Sequence, residues 1–140
     1  WLLAQYHRPA YPAVKAPGSA LQSWVPSFEK YDVDLVCEAD GHNIKRTVPI
    51  RGNVEDATGV VYIGEGGLGV AQRKPKVDRW YLQPPGMADS ARHIFILTFK
   101  SEELKTKCLR LDQTIADEFM LKPRKIEKTE VLPATDGSQL

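Results

Sequence analysis

Apolar and polar positions along the chain change period several times. "LLAQY" (2–6) reads as a buried strand, "VDLVCEA" (33–39) as a second, and "GVVYIGEGGLG" (59–69) as a third running into a glycine-rich turn. Between the first two, Leu21, Trp24, Val25, Phe28 and Tyr31 recur at i, i+3, i+4, i+7 and i+10. That spacing predicts one face of a helix over 19–32, with Ser19 as N-cap. Pro26 lies inside it and removes a backbone donor, so a kink or two short pieces are expected. Later, "RHIFILTF" (92–99), "LKTKCLRL" (104–111) and "DEFMLKP" (117–123) form three strands with short joints, hence antiparallel neighbours. The polar segment 71–92, with Pro75, Pro84, Pro85 and Gly86, reads as a long surface loop anchored by Trp80 and Tyr81.

Strand, helix and strand with short joints make a βαβ unit, which favours a parallel sheet. In open α/β sheets, ligands collect outside the carboxyl ends of the strands. His7 follows the first strand and His42 the second, so both fall on that edge.

Composition narrows the field further. At 140 residues the chain is one domain, and 42% apolar with 26% charged residues fits an ordinary globular core. A net charge of +1 gives no electrostatic case for nucleic acid or an anionic membrane. No apolar run approaches the roughly 18–20 residues that span a bilayer, so no membrane insertion is expected. Cys37 and Cys108 do not decide a redox compartment, and Cys37 reads as packing. Because "WLLAQY" opens within an apolar strand pattern, we expect an upstream part to have been removed. From Arg124 on, the sequence is charged and polar and reads as a surface tail.

The chemistry-bearing stretch is "EADGHNIKRTVPI" (38–50). Asp40 and His42 are two apart, and in extended backbone both side chains would leave one face, where they could ligate a divalent metal. Read alone, the stretch is more simply a polar turn, since Asp and Gly tolerate unusual backbone angles. His7 alone reads more often as a hydrogen-bonded structural residue than as a ligand. His93, before "IFILTF", reads as structural. "GEGGLG" lacks the Lys-Ser/Thr of a P-loop, and its glycines suit a tight turn near the cleft.

"AQYHRPAYP", the amphipathic helix, "YDVDLVCEADGHNIKRTVPI", "GVVYIGEGGLG" and the D-x-F of "ADEFMLKPR" (Asp117, Phe119) together resemble the C-terminal half of a calcineurin-like metallophosphoesterase. The purple acid phosphatases and their bacterial relatives are the nearest branch. The resemblance implies half of a four-layer α/β/β/α sandwich with a mixed sheet over 1–123, followed by a tail at 124–140. It places His7 at the Val-x-x-His ligand of the second metal. His42 takes the second histidine of Gly-His-x-His, and Asp40 stands where that motif has its first. Ile44 replaces the usual aromatic, and Pro17 occupies the region of an outer histidine.

In the full-length protein the resemblance further implies two metal ions (Fe, Mn or Zn) and a phosphate-ester substrate. Arg8 and Lys45 are candidate phosphate contacts, although surface salt bridging accounts for them as well. The partner is the N-terminal half of the same protein, which carries the remaining ligands, so the 140-residue chain alone is expected to be inert. A periplasmic or secreted setting follows from the same branch. A non-catalytic binding or structural relative is the alternative, kept open by Asp40.

Overall fold

A computed structural model of the chain describes residues 1–76 and 78–124. In chain order it begins with β1 (Leu3–Gln5), α1 (Ala20–Ser23), α2 (Val25–Lys30), β2 (Leu35–Cys37), β3 (Ile44–Arg46), β4 (Ile50–Arg51) and β5 (Val54–Glu55). There follow β6 (Val61–Gly64), a 3-10 turn (Trp80–Leu82), β7 (Met87–Asp89), β8 (His93–Phe99), β9 (Leu104–Arg110) and β10 (Ile115–Leu121). The first sheet has the order β1-β2-β6-β3-β7, with β1, β2 and β6 parallel and β3 and β7 antiparallel to their neighbours. The second is the antiparallel β8-β9-β10 meander.

Period-two alternation divides the core between the two faces of the mixed sheet. Ala4, Val36 and Tyr62 point to a cluster with Tyr11, Val25, Phe28 and Tyr81, beneath the helices and the proline-rich loop. Leu35, Val61 and Ile63 point the other way, onto Leu104, Phe95, Leu97, Phe119 and Leu121 of the meander. The layers are therefore α/β/β, three of the four expected, and the α/β class with a mixed sheet holds. Arg46 fastens the two sheets. Its guanidinium donates to both Asp117 oxygens at 2.6 and 2.9 Å and stacks 4.8 Å from the Phe119 ring centre. Arg46 and the D-x-F pair of the sequence thus form one joint.

The helical face splits into two pieces as Pro26 requires. Pro26 lies in the first turn of α2, where its missing N–H costs nothing. Ser19 occupies the N-cap position of α1, but its side chain makes no capping bond. Two expectations change. Among the described residues β1 pairs only with β2, which leaves it a half-buried edge strand with Leu2 46% exposed, rather than a buried one. Segment 71–92 is not all loop, since β7 pairs with β3 inside it. Of the expected tail, 125–140 lie outside the described residues. Arg124 is held, donating to the Gly59 carbonyl and standing 3.5 Å from Asp32.

Candidate functional site

The parallel strands deliver the edge the crossover predicts. The β1–β2 ladder runs on past both strands, with Tyr6 N donating to Cys37 O at 3.2 Å and Ala39 N to His7 O at 3.1 Å. This continuation brings the ends of the two strands together, and His7 Nε2 stands 3.6 Å from Asp40 Oδ1. A third group had no sequence signal. Lys15 Nζ donates to the same Asp40 oxygen at 2.6 Å. Its hydrogen bond, and next to it the charges of Lys15, His7 and Arg8, holds the Asp40 carboxyl below the usual carboxylate range against the opposing effect of burial. Arg73 fixes the backbone here, Nη1 donating to Asp40 O at 2.9 Å.

His42 does not join them. Asp40 and His42 have φ of 71° and 60°, so both adopt left-handed backbone on either side of Gly41. The extended conformation that would send both side chains to one face is therefore not adopted. Between them Gly41 lies directly on Glu65: a Cβ there would come within 1.4 Å of Glu65 Oε2. His42 is held through its main chain, N donating to Glu65 O at 3.1 Å and O accepting from Arg73 N at 3.0 Å. Among the described residues, no group of three or more His, Cys, Asp or Glu side chains is placed to share a metal ion.

Beneath this edge lies a second assembly, sealed from solvent. The side chains of Glu38, Lys45 and Glu65 are fully inaccessible. Lys45 Nζ donates to Glu38 Oε2, to Glu65 Oε1 at 3.1 Å and to the Tyr11 carbonyl at 2.5 Å. Glu38 also accepts from the Tyr6 hydroxyl and from Ala10 N at 2.6 Å, and Glu65 accepts from Ala13 N at 2.9 Å. One ammonium thus binds the proline-rich loop, the end of β2 and the turn after β6. Burial pushes the Glu65 carboxyl up, and the neighbouring Lys45 and Ala13 N–H recover only part of that cost. Its second oxygen has no partner among the described residues. Burial, and then Glu38, likewise pushes the Tyr6 hydroxyl up.

Lys45 is therefore neither a surface residue nor exposed to a phosphate. Its place in β3 turns it to the same face as Tyr62 and Glu38, inside the core. Arg8 remains exposed on the edge. Glu38 carried a usable signal, since it continues the inward parity of Val36. Glu65 and Lys15 carried none. His93 is structural as expected, 5% exposed, with Nδ1 3.0 Å from Ala91 O and its ring edge-on to Phe95.

Neither a family model nor a curated protein matches this sequence. Solved structures do. Purple acid phosphatase PPD1 from yellow lupin (Lupinus luteus) seeds is 21% identical over 87% of this chain and 25% of its own, with a TM-score of 0.67. GAP50, described as the anchor in the inner membrane complex of Plasmodium, is 15% identical over 86% of this chain and 36% of its own, with a TM-score of 0.69. The chain thus has a fold found in purple acid phosphatase and spans between a quarter and about a third of these two structures. No helix among the described residues is long and apolar enough to cross a membrane.

Proposed function

We propose that this chain is a binding or structural module built on the phosphoesterase fold, working inside a longer protein and not hydrolysing phosphate esters by itself. The supporting observation is where its charges go. The most elaborate charged assembly, Glu38–Lys45–Glu65, is closed to solvent and consumed in holding loops together. On the open edge, the donors do not fit a metal pair. Two side chains converge, one of them already engaged by the Lys15 ammonium, and a metal pair would need its further carboxylates and imidazoles from outside this chain. The two structural neighbours, one a phosphatase and one described as an anchor, are compatible with either outcome for the fold.

One observation favours a second reading, in which the full-length protein is a dinuclear phosphoesterase. His7 and Asp40 do meet at the carboxyl edge, 3.6 Å apart. On that reading His7, Asp40 and His42 are this chain's share of the ligands and the metals are Fe, Mn or Zn. The missing ligands come from an N-terminal half that adds a strand to the open edge of β1, and the setting is periplasmic or secreted.

Elemental analysis of the purified full-length protein, with a p-nitrophenyl phosphate assay, separates the two. The module predicts background hydrolysis, unchanged in His7→Ala. About two ions per chain, with turnover lost in His7→Ala, would establish the enzyme instead.

A further inference from the structure

The disagreement between the expected metal and the groups present has a specific origin. Two ligands of one tetrahedral ion, each about 2 Å from it, stand roughly 3.3 Å apart. His7 Nε2 and Asp40 Oδ1, at 3.6 Å, have nearly that spacing. The position facing this carboxylate oxygen is taken by the Lys15 ammonium at 2.6 Å.

Lys15 is held there by a chain of contacts. Ala13, two residues before it, donates to Glu65 at 2.9 Å and accepts from Lys76 N at 2.8 Å, and Arg79 Nη2 donates to the Lys15 carbonyl at 3.1 Å. The sealed network thereby anchors the loop that presents the ammonium. The side chain is 38% exposed, so it can be changed without opening the core.

We propose that Lys15 is the resident cation of this edge: a built-in counter-ion that occupies the Asp40 carboxylate and excludes divalent metal from the His7–Asp40 pair. This deepens the module reading and rests on it only for its biological meaning.

The test is isothermal titration of the 140-residue chain with Zn2+ and with Mn2+ at pH 7, comparing wild type, Lys15→Met, Lys15→Arg and Lys15→Met/Asp40→Asn. Lys15→Met should bind zinc at least tenfold more tightly than wild type. Lys15→Arg, which keeps the charge, should match wild type, and the double variant should lose the gain. Lys15→Met binding no better than wild type overturns the inference, as does a gain that survives Asp40→Asn. Lys15→Gln, which also removes the charge, repeats the comparison should the methionine variant fold poorly. Hydrolysis by the full-length protein would overturn the module while leaving this result standing. An unchanged zinc affinity in Lys15→Met would do the reverse.

Discussion

Two lysine–carboxylate assemblies share one edge of the mixed sheet, their acids only two residues apart at Glu38 and Asp40, and water treats them oppositely. Glu38 and Glu65 clasp Lys45 where no solvent reaches, whereas Asp40 meets Lys15 at the rim with the lysine 38% exposed. The carboxyls record the difference. Burial drives Glu65 up despite its ammonium, while the Lys15 hydrogen bond drives Asp40 down. The same pair of functional groups is thus a structural rivet in one place and a solvent-facing counter-ion in the other. Desolvation, more than distance, decides which.

The contrast is sharpest at Lys45. Lys45→Met leaves two carboxylates buried with no cation, and removing one partner of a buried ion pair costs about 3–5 kcal/mol. The chemical-denaturation midpoint should fall accordingly. The triple variant Lys45→Met/Glu38→Gln/Glu65→Gln should regain much of the loss, because neutral amides are far cheaper to bury than unpaired charges. A midpoint for Lys45→Met within 1 kcal/mol of wild type, by the same ion-pair scale, would mean the network is not closed.

How far the sequence could anticipate this depends on what each residue's signal consists of. The helical face at Leu21–Tyr31 and the β8-β9-β10 meander were legible because their periods run for several residues and report burial directly. β3 and β7 were not. Each is three residues long, and β3 carries Lys45 and Arg46, which read as surface until their partners Glu38, Glu65 and Asp117 are known. That His7 and the stretch after the second strand share one edge followed from the parallel direction of a βαβ unit, which needs no side-chain detail. The same-face parity of Asp40 and His42 assumed extended backbone, and both residues are left-handed. Lys15 was invisible for a plainer reason: its partner lies 25 residues away across a loop whose path is set by Glu65.

Gly41 joins the two assemblies and offers an intermediate effect. Gly41→Ala would place a methyl group 1.4 Å from Glu65 Oε2 and 2.8 Å from its Cβ. The carboxylate cannot swing away freely, since Ala13 N and Lys45 hold its other oxygen. Overpacking of this kind costs about 1–3 kcal/mol. The damage should also reach the rim: amide exchange at Ala13 and His42, both bonded to Glu65, should speed up. Unchanged exchange at both would show that the turn yields independently of the network.

The smallest effect separates the two carboxyls by the sign of their pH dependence. Asp40 has a folded pKa below its unfolded value. Its contribution is present above about pH 4 and drains as pH falls through the depressed value. Glu65 is raised, so the folded state holds its proton more tightly than the unfolded chain. Its contribution is complete below about pH 4 and drains as pH rises through the folded value. Denaturant midpoints measured from pH 3 to 8 should therefore diverge in opposite directions. The stability of Asp40→Asn relative to wild type should worsen from acid to neutral pH, by no more than about 1 kcal/mol for a pair so near the surface. That of Glu65→Gln should improve over the same range, because the amide has no proton to lose. Parallel curves for Glu65→Gln and wild type would mean that this carboxyl titrates alike in the folded and unfolded chain, and a gap widening toward neutral pH would place it with Asp40; either way the distinction between rivet and counter-ion would then rest on accessibility alone.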